Sequence, residues 1–433
     1  MQNHTPRNGH QRSRASRLQQ LVDERREWNA LVGDFYREQE VYQAEIETIW
    51  KRDWLLACHT CEIPNPGDYV TLRLEGDSAV VIRDHEGQIR AHWNVCRHRG
   101  SELCAGEAGH AKRLVCPYHQ WTYAVDGHLV ACRGMHDDFD QSDLDLMPVA
   151  IQELEGLVFI SFADNPPDFN QAAQWMGPML RPQGLLRAKV AKSIDYEVAA
   201  NWKLVWENNR ECYHCKMNHP QYVKANFDQY DADGASHQVK ERLRSSLQRQ
   251  LPKWEEQGLY GDHLSPGIAI FPDVEHNRWY SANRTVLAEG FVSESVEGQQ
   301  VAPLMGSYTN PETGTLRIRT VPNMWNHSSC DHAVTTRLMP DGIDRTRITV
   351  TWLVDQDAME GRDYELSELL PFWQLTSEQD WKLCERVQRG VLSTKYRPGP
   401  LSRSNEYNLE AFFVWYLQRL RATTRVSTMA DRD

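Results

Sequence analysis

Residues 94–122 read NVCRHRGSELCAGEAGHAKRLVCPYHQWT. They set Cys96 and His98 as a CxH pair and, after seventeen intervening residues, Cys116 and His119 as a CxxH pair. Two cysteines and two histidines can surround a tetrahedral zinc, although structural zinc motifs mostly use a CxxC knuckle. Here each pair mixes sulfur with nitrogen. That mixture suits a two-iron cluster in which the cysteines take one iron and the histidines the other. Two neutral imidazoles in place of two thiolates leave less negative charge on the cluster, so it accepts an electron more readily and serves as a relay. Cys104, inside the loop, and Cys132 read as core or surface thiols.

Outward from this stretch, from about residue 50, the chain runs in short alternating segments: YVTLRL, SAVVIRDHEGQIRAHWNV and WTYAVDGHLVAC. These predict antiparallel hairpins with HEG and DG turns, and both ligand pairs fall in loops where such strands end. GLVFISFA closes the region, and NPPDF marks a boundary. Cys58 and Cys61 form a CxxC inside the apolar run WLLACHTCEI, which reads as a buried strand. Beyond the boundary, helices mix with longer strands such as TLRIRTVPN and RTRITVTWLV, which predicts an α+β domain. A chain of 433 residues exceeds what one ordinary core supports, so two domains, or one domain carrying another as an insertion, are expected.

The net charge of -12, with no basic stripe, argues against nucleic acid or an anionic membrane as a partner. The first residues, MQNHTPRNGHQRSRASRLQQ, are Arg-rich without a following apolar run, and no stretch approaches transmembrane length; they read as a flexible arm in a cytoplasmic protein. Ten cysteines are too few for a disulfide scaffold in so long a chain, so reduced thiols or metal ligands are expected. Fifteen tryptophans are an excess that calls for a use.

A second constellation lies in NWKLVWENNRECYHCKMNHP, residues 201–220. Read as one helix, it puts Trp202, Val205 and Trp206 on an apolar face and Glu207, Glu211 and His214 together on another. Pro220 disfavours helical geometry at His219, so the helix should end there. Two histidines five apart with carboxylates nearby suit part of a two-histidine, one-carboxylate triad for Fe(II); the same residues also read as ordinary polar side chains. Further on, TSEQDWKLCERVQRG reads as a helix start, with Ser377 and Asp380 as a capping box ahead of the stripe Cys384, Val387 and Val391.

The CxH…CxxH signature in CRHRGS…CPYHQW, followed by NWK…ENNRECYHCxxxHP, resembles the catalytic subunit of Rieske non-heme iron oxygenases, from about residue 30 to 420. The resemblance implies an antiparallel β Rieske [2Fe-2S] domain over 49–165, inserted into or preceding a helix-grip (START-like) α+β domain over 166–433 that holds a mononuclear iron. An N-terminal arm and helix, 1–48, should pack on that second domain. It further implies His214, His219 and Asp380 as ligands of that iron, with Glu378 as the rival carboxylate. Glu211 should bridge toward His119 of a neighbouring chain in a head-to-tail homotrimer. Dioxygen is then the co-substrate. No nucleotide-binding glycine loop is present, so NAD(P)H should be oxidised by a separate flavin and iron-sulfur reductase.

Gln120 stands where many members that attack aromatic rings have glycine. MWNHSSCDH, TWLVDQDAMEG, VQRG and YRPGP, together with ENNRECYHC, are most similar to the branch acting on quaternary ammonium compounds, with glycine betaine as the first expectation. Stachydrine, carnitine, choline or an aromatic ring are alternatives, and a pure electron-transfer protein is the reading from another class. A permanent cation with no donor hydrogen is best held by aromatic faces, worth about 0.5–2 kcal/mol each. Trp206, Tyr213 and Trp325 are the candidates for such a cage.

Overall fold

The computed structural model describes residues 17–136, 138–227, 236–259 and 270–430, with side chains described as far as residue 421. The Arg-rich arm before Arg17 lies outside the described residues. The segments bounded by turns form β1 (Leu55–His59), β2 (Asp68–Leu74), β3 (Asp77–Arg83), β4 (Ile89–Trp93), β5 (Ala108–His110), β6 (Leu114–Val115), β7 (Thr122–Tyr123), β8 (Leu129–Ala131), β9 (Ala150–Leu154) and β10 (Leu157–Ser161). They make three antiparallel sheets, ordered β1-β10-β9, β4-β3-β2-β5 and β6-β7-β8. The HEG turn joins β3 to β4 and the DG turn joins β7 to β8. Gly127 of the latter has φ +96°, and a Cβ there would lie 2.5 Å from His92 Cε1, so conformation and space both require glycine. Cys58 lies in β1 and Cys61 just after it; both are free, and burial pushes the Cys61 thiol up to about 12.

The second region is one six-stranded antiparallel sheet, ordered β11-β16-β15-β14-β13-β12, formed by β11 (Ala188–Val198), β12 (Tyr280–Thr285), β13 (Thr315–Thr320), β14 (Met324–Ser328), β15 (Ala333–Pro340) and β16 (Thr346–Asp355). Its helices, with α1 (Gln39–Glu45) before the first sheet, are α2 (Asn170–Leu180), α3 (Trp202–Asn209), α4 (Pro220–Ala225), α5 (His237–Glu256), α6 (Pro371–Val391) and α7 (Tyr407–Ala430). α6 lies against the sheet through Trp381, which packs on Tyr196 of β11 and Trp325 of β14. This is the expected helix-grip arrangement. The segment between the two edge strands β11 and β12 carries α3 to α5. β1 docks on the large sheet: Leu56 N donates to Asn323 Oδ1 at 2.8 Å, and Asn323 Nδ2 donates to Leu56 O at 3.0 Å.

Two expectations about helices are corrected. Residues 201–220 are not one helix, because α3 stops at Asn209. Arg210 turns inward, fully buried, and donates to Phe271 O at 3.0 Å and Asn209 O at 3.2 Å. Glu211 then accepts from the amides of Tyr213 and His214, which starts a new turn. Glu207 is therefore not beside His214. It is half-buried against Tyr36, whose hydroxyl donates at 2.7 Å, and desolvation, opposed by Tyr36 and Lys203, pushes its carboxyl up to about 8. A separate short helix, Cys215–Asn218, follows and ends before Pro220, with His219 at φ -126° and ψ 68°.

The second correction concerns α6, which begins at Pro371 and so places Ser377 and Asp380 in its interior, not in a capping box. Cys384 and Val391 are buried as the stripe requires, whereas Val387 is exposed.

The N-terminal helices close the back of this region. Glu45 of α1 is fully buried and accepts from Lys203 Nζ at 2.6 Å and Trp202 Nε1 at 2.8 Å, and the Tyr416 hydroxyl of α7 donates to the same carboxylate. One buried carboxyl group thus ties α1, α3 and α7 together. Removing one partner of such a pair leaves an uncompensated charge in the core, at a cost of about 3–5 kcal/mol.

Candidate active site

The two cysteine-histidine loops share one backbone construction. Cys96 N donates to Ser101 O and Cys116 N to Trp121 O, each at 2.8 Å; Gly100 N returns to Cys96 O and Gln120 N to Cys116 O, each at 3.0 Å. The fifth residue of each loop is left-handed, Gly100 at φ +76° and Gln120 at φ +61°. Gln120 therefore holds a conformation that costs a side-chain-bearing residue about 1–2 kcal/mol.

The loops bring the four expected donors together. The rings of His98 and His119 are 4.7 Å apart, and Nδ1 of each is buried without a hydrogen-bond partner. Cys96 and Cys116 are buried and free. A satisfied structural role would have given those ring nitrogens partners, so paired orphan nitrogens beside two thiols fit a metal cluster. Tyr123 accepts from Arg97 N at 3.0 Å and lies 3.5 Å from Cys96 Sγ, which braces the first loop. Cys104 and Cys132 stand apart, Cys104 buried with its amide on Asn94 Oδ1 and Cys132 with its thiol toward Gln141.

In the second region, Asp380 Oδ1 lies 3.2 Å from His214 Nε2 and 2.8 Å from His219 Nε2. The far side of each ring is held: His214 Nδ1 donates to Glu211 at 2.5 Å and His219 Nδ1 donates to Gln379 Oε1 at 2.7 Å. Holding Nδ1 on an acceptor fixes the ring and presents Nε2, which is how histidine ligands of a metal are oriented. Gln221 secures Gln379 at 3.1 Å, and Asn208 donates to Asp380 at 3.1 Å. Glu378 turns away to accept from Gln374, so Asp380 is the carboxylate in place. Cys215 Sγ is 3.9 Å from His214 Nε2 but is bonded to Cys212. The expectation of reduced thiols fails at this pair, whose Cα atoms, 4.9 Å apart, are within disulfide reach.

Burial lowers the His214 pKa, but the hydrogen bonds and charges of Asp380 and Glu211 outweigh it and push the value up to about 10. The ring is then protonated at pH 7 in the metal-free site, and a metal must displace that proton. Fe(II) binding at pH 7 is expected to release about one proton per site, so apparent affinity weakens as pH falls. Calorimetry in buffers of different ionisation enthalpy measures this; a binding heat independent of the buffer would contradict it.

The three donors open into a cavity lined also by Arg319, Trp325, His327, Trp373 and Trp381. Trp325 projects from β14 and meets Trp381 at 6.4 Å between ring centroids, and Trp373 lies 4.2 Å from His327 and 5.8 Å from Tyr222. Trp373, Thr376, Ser377, Asp380 and Trp381 all reach the cavity from α6 at helical spacing.

A model of the Rieske [2Fe-2S] domain matches residues 53–147, and one of the ring hydroxylating alpha subunit catalytic domain matches residues 185–422. The sequence is 39% identical to the glycine betaine monooxygenase oxygenase subunit of Pseudomonas aeruginosa (strain UCBPP-PA14), over 90% of this chain and 89% of that one. The chain belongs to the Rieske-type ring-hydroxylating oxygenases. The subunit of the same name from Chromohalobacter salexigens is 39% identical over 92% of this chain and 87% of its own. In fold, the oxygenase resembles a crystal structure of the quaternary ammonium Rieske monooxygenase CntA, with a TM-score of 0.69 at 21% identity over 92% of this chain and 97% of that one. Its cofactors are accordingly a Rieske [2Fe-2S] cluster and a catalytic non-heme iron, with electrons supplied by a reductase.

Two of the three cage candidates do not reach the cavity of the oxygenase. Trp206 is fully buried in the core, with its indole N–H on Pro322 O and its ring against Phe271, Trp325 and Phe412. Tyr213 is 63% exposed and points to solvent. Trp325 does line the cavity, where Trp373, Trp381 and Tyr222 join it; the four-residue spacing of Trp373, Ser377 and Trp381 around Asp380 is the signal that marks the α6 face. Among the described residues no helix is long and apolar enough to cross a membrane.

Proposed function

We propose that this oxygenase hydroxylates an N-methyl group of a small quaternary ammonium compound, glycine betaine first, and so acts as an oxidative N-demethylase. The observation that carries the substrate class is the aromatic wall: indoles of Trp325, Trp373 and Trp381 stand around the open side of His214, His219 and Asp380. A trimethylammonium head offers no hydrogen to an acceptor, and indole faces attract it by about 0.5–2 kcal/mol each. The names of the Pseudomonas and Chromohalobacter relatives support the same choice.

In this reading Cys96, His98, Cys116 and His119 hold the cluster, and His214, His219 and Asp380 hold the iron. When bound, the two centres supply electron storage and dioxygen activation. The chain's own residues do the rest: the indoles orient the methyl groups toward the donors, and Glu211 and Gln379 fix the imidazoles. The hydroxymethyl product of such a reaction collapses to formaldehyde and the demethylated amine. Glu211 bridges to His119 of the next subunit in a head-to-tail trimer, and the protein works in the cytoplasm with a flavin and iron-sulfur reductase.

The test is a turnover assay with reductase, NADH and oxygen across glycine betaine, stachydrine, carnitine, choline and an aromatic acid. Formaldehyde release is expected from glycine betaine above the others. Hydroxylation of the aromatic acid without formaldehyde from any betaine would overturn the assignment.

A further inference from the structure

Cys212 and Cys215 flank the dipeptide Tyr213-His214 and are joined by a disulfide. The local backbone brings them together: Glu211 accepts from the amides of Tyr213 and His214, Cys215 N donates to Cys212 O at 3.1 Å, and Cys215 opens the short helix Cys215–Asn218. Both cysteines are buried, at 6% and 5% exposure, and both line the cavity of the iron site. Cys215 Sγ lies 3.9 Å from His214 Nε2, and one donor atom from each of His214, Cys215 and His219 falls within 4.8 Å of the other two. Asp380 Oδ1 completes the group at 3.2 Å and 2.8 Å from the two imidazoles. Two ligands of one tetrahedral zinc, a sulfur at about 2.3 Å and a nitrogen at about 2.1 Å from it, stand about 3.6 Å apart. The Cys215 sulfur is thus close to a ligand's place. Cys384 of α6, by contrast, turns its thiol to Leu204 O.

The same four residues make two chemically different sites, according to the state of the disulfide. While Cys215 is bonded to Cys212 it has no thiolate to give, so two imidazoles and one carboxylate leave open positions, the set that suits Fe(II) oxygen chemistry. As a thiolate, Cys215 completes a shell of two nitrogens, one oxygen and one sulfur, and four-coordinate shells of this kind are the closed type that zinc favours. We infer that Cys215 is a withheld fourth ligand: the bond to Cys212 keeps the site open for iron, and reduction of that bond lets the site close around zinc. Reduction is a two-electron step. A dithiol reductant passes two electrons and two protons to the bond and becomes a disulfide itself; Cys212 and Cys215 become thiols, and Cys215 gives its proton to solvent when the metal binds. Disulfides in reducing compartments are mostly transient or redox-sensing, which suits a pair set in a cavity wall. The inference rests on the iron site of the proposed function and goes beyond it, since that function uses neither cysteine.

The experiment takes protein with its cluster intact and its mononuclear metal removed, either untreated or reduced with a dithiol and desalted without oxygen. Cobalt(II) and zinc(II) are the probes, and mass spectrometry of alkylated peptides reports the thiol state of Cys212 and Cys215. Reduced wild type is expected to show a sulfur-to-cobalt charge-transfer band in the difference spectrum. It should also bind zinc at least about 100-fold more tightly than the untreated form, the size expected of a whole ligand. Cys212→Ser should show the band without reduction, and Cys215→Ser should lack it in both states. A reduced pair with no band in wild type, or a band that survives Cys215→Ser, would overturn the withheld ligand while leaving the iron site standing. Cys212 and Cys215 found as thiols in untreated, air-exposed protein would overturn it as well. Cobalt binding unchanged by both His214→Ala and Asp380→Ala would overturn the iron site and the inference together. Should either cysteine variant not retain the cluster's visible spectrum, the wild-type comparison of the two redox states decides alone.

Discussion

Asp380→Ala is expected to lose the mononuclear iron and all demethylation while keeping the visible spectrum of the cluster. Asp380 Oδ1 stands between His214 Nε2 and His219 Nε2, and it is the only carboxylate that approaches both rings among the described residues. Removing an orienting partner of a metal ligand costs 10–100-fold in affinity, so removing a ligand itself should cost at least about 100-fold. The cluster should be spared because its loops close on their own backbone, Cys96 on Ser101 and Cys116 on Trp121, and among the described residues they make no hydrogen bond to α6. Metal analysis checks this directly: three irons per chain in wild type should fall to two, in keeping with one two-iron cluster. Asp380→Ala protein that kept the third iron would remove Asp380 from the ligand set.

Glu211→Gln is expected to slow electron delivery to the iron by more than about tenfold, with reduction of the cluster by the reductase unchanged. Within one chain Glu211 already serves His214, accepting from its Nδ1 at 2.5 Å and from the amide that begins the new turn. This local duty alone predicts iron affinity about 10–100-fold weaker, because a ring that loses its acceptor is free to rotate. The proposed bridge to the neighbouring His119 predicts something further, which saturating iron separates. If Glu211 only positions His214, excess Fe(II) restores turnover. If it also carries the path between subunits, turnover stays lost at full iron occupancy. Single-turnover reoxidation of the cluster in the presence of substrate reads the difference: it should slow by more than about tenfold in iron-saturated Glu211→Gln, the size expected of a lost charged hydrogen bond.

The readable parts of the chain were those in which local chemistry and tertiary structure agree. The hairpins of the first region follow from alternation and from turns such as DG, where Gly127 is demanded both by its φ and by His92. The proposed cluster donors fall in two tight loops, so each pair is visible as CxH or CxxH, while the choice of a two-iron cluster over zinc drew on the resemblance as well. His214 and His219 were legible as a pair, but their geometry was not. A helical reading extends α3 through Arg210, and nothing in the local sequence says that a guanidinium will be buried on Phe271 O, 61 residues away. Glu207 and Glu211 therefore part company, one to Tyr36 and the other to His214.

Asp380 was found by resemblance, and its residues suggested a helix start because Ser377 three before an acid looks like a cap. The true start, Pro371, is six residues earlier, and Ser377 is instead buried beside the cavity. Trp206 was misplaced because an indole on an apolar helical face is ordinarily core, and core it is. Arg319 could not have been singled out from TLRIRTVPN, where alternation sends arginines to water. Here both faces of β13 are buried, Leu316 and Ile318 on one side, Arg317 and Arg319 on the other.

The most direct test needs no partner protein. The oxygenase, with its cluster chemically reduced and iron loaded, is mixed once with oxygen and glycine betaine, and formaldehyde and dimethylglycine are quantified against chains. The account predicts the two products in equal amounts, rising with the fraction of reduced cluster. Reoxidation of the cluster by oxygen with neither product formed would contradict it.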